Sequence, residues 1–447
     1  MKKKLFYIAL LFLSLPGFAQ AIVCTQATVQ SAINSATPGD TISIDAGSCS
    51  WSGLTIAKPV TLQGAGIGST NITLTGNNTI TKQAGGKIVI DGFSFSKSGG
   101  GNSSKGWTID GSWSAEPVII SNSRHDISVT GLYKLEVIGG VIFSDCSFYG
   151  LWNDSFIQPK LAGDTESWTT NSTMGTDDTD GKQNIYVEGC YFYGGTNQGV
   201  DADDAARIVF RYNTLDYSSF NSHGLGTSQT GVRHWEVYNN RFYNDTAGGW
   251  TGSSDIDDIS NQNWAIWIRG GTGVITGNVI DDIANSYWGY AKAEVKFDIR
   301  AQQDNSGAAY GTTSPPVAKY SSGQGNYPRE RQLGQSWNEA LSNSYGIDGG
   351  NGDYITDPIY IWSNSGDGTT DGVPNDIGEG SWGDQTGYFN EDRDYYLGTA
   401  KSGWTASTCP NPNVGTGTCS GTGSTAYEVT GEPAAVPANA IQGVTIN

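Results

Sequence analysis

The chain has 447 residues, with 62 Gly, 22 Tyr and 14 Trp, and only 15% of its residues are charged. That balance suits an all-β protein rich in turns and excludes a disordered chain, which would lack the aromatics. The formal net charge of −19 excludes nucleic acid as the expected partner, because phosphate binding needs Lys and Arg to displace counterions.

The first residues, MKKKLFYIALLFLSLPGFAQA, run from a basic start at Lys2, Lys3 and Lys4 through an apolar core to Ala19-Gln20-Ala21, a small-x-small cleavage site. This predicts a signal peptide over residues 1–21 and a secreted protein, extracellular or periplasmic. The apolar run is too short to span a membrane and no other long one follows, so no membrane partner is expected. Six cysteines in an exported chain predict structural disulfides. Cys24 and Cys49 flank the first unit, Cys409 and Cys419 close a short loop near the end, and Cys146 and Cys190 recur in the matching motifs FSDCSFYG and VEGCYFYGG. None has a metal-ligand spacing such as CxxC.

Val29 and Ile33, four apart, predict one face of a short helix, and Pro38-Gly39-Asp40 ends it before an alternating strand at residues 41–44. Such a helix caps the open end of a solenoid. A degenerate unit of strand, tight turn and short strand follows: IVIDGFSFS, VIFSDCSFYG, IYVEGCYFYG, RIVFRYNTLDY, HWEVYNNRFYN and GVITGNVIDDI. Asn213, Asn240 and Asn278 hold the turn in the last three. Asn tolerates left-handed backbone, and its amide can bond the Asn of the next coil. Regular coils are expected over residues 41–300 within a domain of residues 22–400, with an irregular closing region at 301–400 and a tail at 401–447.

These units resemble the right-handed parallel β-helix superfamily of pectin-lyase-like, carbohydrate-active proteins. The resemblance implies an all-β solenoid whose groove lies along the outer face of the strands that precede the Asn-turn strands. The matching segments here are GVDADDA (199–205), SFNSHGLG (219–226) and NWAIWIRGG (263–271). Period-two alternation turns Val200, Phe220 and Ile266 inward. One outer column then holds Asp203, His223 and Arg269, and the next holds Asp201, Asn221 and Trp267. AEVKFDIR (293–300) adds Lys296, Asp298 and Arg300 to the same groove.

The order Asp203-Asp204, His223-Gly224, Ile268-Arg269 on successive coils resembles the polygalacturonases, in which paired aspartates act as acid and base. That family's upstream Asn-Thr-Asp segment is missing, and Gly270 stands where a second basic residue should follow, so hydrolysis and β-elimination both stay open. The expected catalytic residues are Asp201, Asp203, Asp204, His223 and Arg269. Asn221, Trp267, Lys296 and Arg300 are expected to bind substrate, Trp267 as a platform for a sugar ring and Arg300 as a partner for carboxylate. Asp201, Asp203 and Asp204 crowd three carboxylates into four residues and are the expected Ca²⁺ ligands. Asp203, His223 and Arg269 are expected to be exposed.

The residue pattern therefore points to a monomeric enzyme acting on a long, uronic-acid-containing polysaccharide. The alternative is a non-catalytic glycan-binding or adhesin-type β-helix, whose groove would repeat one residue type on every coil. Arg207, Arg211, Glu188, Glu236, Tyr238 and His234 read as an exposed ladder on the neighbouring face, of little energetic weight. His125, in SRHD, reads as a loop residue. Asp255, Asp257 and Asp258 form one further acidic loop, and GDGTTDGVPND (366–376) has the oxygen donors of a structural Ca²⁺ loop without full EF-hand spacing. Trp152, Trp168, Trp250 and Trp288, in loop insertions, could wall the groove.

Overall fold

The computed structural model describes residues 21–97, 105–111, 116–127, 135–150, 155–160, 184–194, 199–203, 206–216, 218–222, 232–243, 264–281, 293–297, 333–338, 353–375, 377–379, 391–406 and 411. Residues 1–20 of the expected signal peptide, Cys409, Cys419, the four loop tryptophans and Asp255, Asp257 and Asp258 lie outside them.

Among the described residues three parallel sheets wind as a right-handed β-helix. Sheet 1 has eleven strands, from Thr41–Ser43 to Tyr395–Leu397. Sheet 2 has nine, from Gly47–Trp51 to Val279–Ile280, and sheet 3 has ten, from Thr55–Ile56 to Ile377–Glu379. One coil is a strand of each in turn: Arg207–Arg211, Thr214–Asp216, Phe220–Ser222. The closing region adds Ile359–Trp362 to sheet 1 and Ile377–Glu379 to sheet 3. The helix Gln26–Ser35 buries Val29 and Ile33, and the Cys24–Cys49 disulfide ties its start to sheet 2.

Alternation fixes what faces inside. Phe95, His125, Phe148 and Phe192 stack through the core on consecutive strands of sheet 2, with ring centroids 5.3, 4.8 and 4.8 Å apart. His125 is thus no loop residue; it lies in the strand Arg124–Ile127, fully buried. Burial lowers its pKa to about 3, so it is a neutral ring in an apolar stack.

From Asn122 onward each turn between sheets 1 and 2 has two residues, and the first of them carries the left-handed backbone: Asn122, Asp145, Gly189, Tyr212, Asn239, Gly277 and Ser363 all have φ between 44° and 65°. The left-handed position is therefore one residue before the ladder asparagines. Those asparagines have another job. Asn213 Nδ2 donates to Asn240 Oδ1 at 3.0 Å, Asn240 Nδ2 to Asn278 Oδ1 at 3.0 Å, and Asn278 Nδ2 to Asn364 Oδ1 at 2.9 Å. Each Oδ1 also accepts the backbone N–H of the coil before it, at 2.9–3.0 Å. Cys146 and Cys190 fill the same position on earlier coils as free buried thiols, not as a disulfide, donating to the carbonyls of Ile120 and Glu188. Fitted to this position, a small polar side chain satisfies main-chain groups that would otherwise be buried unbonded.

The outer face of sheet 1 overturns the expectation of an exposed ladder. Glu188 and Arg211 are both fully buried, with Arg211 Nη2 and Nε 2.7 and 3.0 Å from Glu188 Oε2, and Arg211 Nη1 donating to Tyr238 Oη at 2.9 Å. His234, Glu236 and Arg207 are buried beside them. The cause is the chain beyond residue 400, which returns over this face. Trp404 packs edge-on against Tyr238 and Trp362, Lys401 pairs with Asp357, and the Asn411 N–H donates to Glu188 Oε1. A buried pair of this kind costs about 3–5 kcal/mol when one partner is removed, where a surface pair costs almost nothing.

Candidate functional site

The candidate groove is the outer face of sheet 3. Val200, Phe220, Ile266 and Val295 face inside in one register, which forces the residues after them outward. Asp201, Asn221, Trp267 and Lys296 are the resulting in-line column. Asp203 and Arg269 belong to the second column. His223, which the sequence places between them, lies outside the described residues, as do Asp204, Arg300 and the side chain of Lys296.

Arg269 is the centre of the described site. Its Nε donates to the Ser222 carbonyl at 2.8 Å, and its backbone N–H donates to Ser222 Oγ at 3.2 Å. The guanidinium carbon lies 4.1 Å over the Trp267 ring, and Nη2 is 3.8 Å from Asp201 Oδ1. Asn221 is fixed from its other side: its Oδ1 accepts from Trp264 Nε1 and from Ser219 Oγ, each at 3.1 Å. Trp264 and Trp267 lie with ring centroids 4.3 Å apart.

These groups are buried, contrary to the exposure expected of Asp203 and Arg269. Asp201 is 3% exposed, Asp203 6%, Arg269 2%, Asn221 0% and Trp267 9%. Arg269 lies against Trp267 and Trp267 against Trp264, so an outward direction does not mean an exposed one. Trp267 is accordingly not an open sugar platform, because its ring is taken by Arg269 and Trp264. A guanidinium held by a carbonyl and a ring face is preorganised to meet an anion without first ordering itself.

Sequence reasoning missed Trp264 and Ser222. Trp264 shares the inward parity of Ile266 but stands at the strand's start, where its indole reaches across to Asn221. The open half of the same face was missed as well. Thr79, Thr108, Glu136 and Gln158 line up on the preceding strands and are partly exposed. The turns that next follow these strands hold Phe93, Ser123, Cys146 and Cys190, so no asparagine marked them.

Among the described residues no group of three His, Cys, Asp or Glu side chains could hold a metal ion. Asp201 and Asp203 are hard oxygen donors of the kind Ca²⁺ takes, while the Asn221 oxygen is already used twice, so a cation would rest on those two with Asp204. The described part of residues 366–376 forms a small hairpin, Thr369–Thr370 against Val373–Pro374, turning at Asp371 with φ 51°.

No family model matches the chain, and no curated protein matches it. Solved structures do. The A-module of the mannuronan C-5 epimerase AlgE4 from Azotobacter vinelandii is 15% identical, with 86% of this chain and 96% of that one covered and a TM-score of 0.33. An alginate lyase from Paenibacillus is 14% identical, covering 62% and 93%, with a TM-score of 0.31. The PL6-family polysaccharide lyase Pedsa3628 from Pseudopedobacter saltans is 11% identical, covering 84% and 91%, with a TM-score of 0.34. Identities this low leave the chemistry to be read from the site itself.

Proposed function

We propose that this chain is a secreted enzyme that cleaves a long, uronic-acid-containing polysaccharide on the outer face of sheet 3. The observation that carries the reading is Arg269, a guanidinium pinned by Ser222 and Trp267 and set among Asp201, Asp203 and Asn221. A column of unlike ionisable and polar groups on adjacent coils suits a reaction better than a surface that only binds.

β-Elimination fits this geometry best. A cation facing a uronate carboxylate withdraws charge from it and makes the neighbouring ring proton easier to remove. On this reading Arg269 takes that neutralising role, and His223 or Lys296 takes the proton. Hydrolysis is the second mechanism; Asp201 and Asp203, with Asp204, would serve as acid and base. When bound by those carboxylates, Ca²⁺ would add positive charge for the same uronate group. Chelation should then lower activity or melting temperature, and unchanged values would argue for Arg269 as the partner of Asp201 instead.

The deciding experiment is incubation of the mature protein with a panel of acidic and neutral polysaccharides. New reducing ends together with ultraviolet absorbance from an unsaturated product are expected. Reducing ends without absorbance would establish hydrolysis, and binding with neither would establish the adhesin reading.

A further inference from the structure

The open half of the groove face, from Asn78–Lys82 to Ile157–Lys160, has a part in no step described so far. Its strands are in register: Thr79 pairs with Thr108, Thr108 with Glu136 and Glu136 with Gln158. One column over, Thr81 pairs with Asp110, and Ile138 with Lys160. All of these side chains are at least partly exposed. Ile157 pairs with Val200, which carries the first column on from Gln158 to Asp201.

The groove is thus continuous, but its chemistry changes at Gln158. Thr79, Thr81, Thr108 and Gln158 offer donors and acceptors without charge. Asp110 and Glu136 are carboxylates, and Lys105 pairs with Glu136. Lys82, buried, donates to the carbonyls of Ile138 and Gly139. Neighbouring strands lie about 4.8 Å apart, and one sugar ring with its linking oxygen is of the same order. A polysaccharide lying along the stack would thus set one sugar on each coil. A homopolyuronate would bring a carboxylate to every coil. The coils of Asp110 and Glu136 already carry one, and the strands of Thr79, Thr108 and Glu136 place no cation in the two outward columns. Like charges at that spacing repel, whereas sugar hydroxyls, which donate and accept, match Thr and Gln without that cost.

We propose that the open half reads neutral sugars through their hydroxyls, so that the substrate is a heteropolysaccharide with its uronate at Arg269 and uncharged sugars on the coils from Thr79 to Gln158. This rests on the polysaccharide-cleaving function proposed above. Gln158 is the threshold residue: it stands between Glu136 and Asp201, two carboxylates that together disfavour a uronate on its coil. The groove then selects spacing as well as charge. It takes a chain in which uronates are separated by neutral units, and it disfavours one that is acidic at every unit.

The test measures kcat/KM at equal uronate concentration on homopolyuronates, polygalacturonate and alginate, and on gellan, whose repeat holds a single glucuronate among neutral sugars. Wild type is compared with Gln158→Ala and with a double variant, Thr108→Lys with Gln158→Lys, and melting temperature is the folding control. Wild type should prefer gellan roughly tenfold, the scale of avoided like-charge contacts. Gln158→Ala should lower kcat/KM on gellan roughly fivefold, chiefly through KM, the scale of a neutral hydrogen bond. The lysine pair should move the preference towards the homopolyuronates by roughly tenfold. A wild type that prefers a homopolyuronate, or takes both kinds alike, overturns the proposal and leaves the cleavage reading standing. So does a lysine pair that melts as wild type and leaves the ratio unchanged. Electrophoresis through gels containing each polymer separates the two readings further. Retardation by gellan alone, in a protein that cleaves nothing, keeps the proposed recognition and removes the enzyme. A wild type that is neither retarded nor active on any of the polymers removes both.

Discussion

Sheet 3 presents one outer face with two unlike halves. From Asn78–Lys82 to Ile157–Lys160 the outward residues are Thr79, Thr108, Glu136 and Gln158, all partly exposed. From Val200–Ala202 to Trp264–Ile268 they are Asp201, Asn221 and Trp267, all buried. Strand geometry and register are the same in both. The difference lies in what projects: short hydroxyls and solvated charges in one half, and in the other an indole pair and a guanidinium that bond to the neighbouring strand. In this half the outward side chains reach sideways to their neighbours, and strong electrostatics gather on a few coils.

The contrast breaks most sharply at Arg269. Arg269→Ala should cut turnover by roughly 10²-fold or more and should also lower the unfolding free energy by about 3 kcal/mol, since Asp201 would remain buried without its nearby cation. Kinetics on the best substrate and denaturant unfolding read the two effects separately. A variant as stable as wild type would show that the closed half is open in solution.

His125 tests the core beneath the open half. Its folded pKa of about 3 lies below the ordinary value of 6.5, so the unfolded chain binds the extra proton first. Stability is unaffected above about pH 6.5 and falls as pH drops from there towards 3, by about 1.4 kcal/mol per unit. His125→Phe, which keeps the ring between Phe95 and Phe148, should remove that slope and gain about 2.7 kcal/mol over wild type at pH 4.5, if both are matched at pH 8. Parallel curves at every pH would mean that His125 takes up its proton in the folded chain as readily as in the unfolded one.

Smaller effects sharpen the same contrast. Trp264→Phe keeps the ring near Trp267 but removes one donor to Asn221, and should cost about 1–2 kcal/mol, with a loss of activity larger than the loss of melting temperature implies. Glu136→Gln, in the open half, should change stability by less than about 0.5 kcal/mol, because the Lys105 end of its pair stays in contact with water. A cost as large as that of Trp264→Phe would erase the distinction between the halves.

How much of this the sequence discloses follows from the range of the interactions. Alternation is local, so the columns Asp201, Asn221, Trp267 and the inward set Val200, Phe220, Ile266 were legible, as was the asparagine ladder. Cover is not local. Glu188 is sealed in part by Asn411, 223 residues away, and nothing near Glu188 or Arg211 announces that. His125 was misread because SRHD looks like a turn, whereas only its register with Phe95 and Phe148 shows a core position. Cys146 and Cys190 resembled a disulfide because the compartment favours one; their place in the turn shows them instead as stand-ins for asparagine. Trp264 escaped because strand parity fails at a strand's first residue, where a side chain can swing past the edge.

The asparagine ladder has a further consequence. Its successive rungs are 27, 38 and 86 residues apart along the chain, yet their hydrogen bonds keep the same length to within 0.1 Å. One corner of these coils is thus a fixed datum, while the length of chain spent elsewhere in the coil varies about threefold. New segments can be spliced into the other two corners without shifting any strand against its neighbour. A solenoid bound along one edge in this way can exchange the loops around its groove as separate parts, and change what it grips while its frame stays as it is.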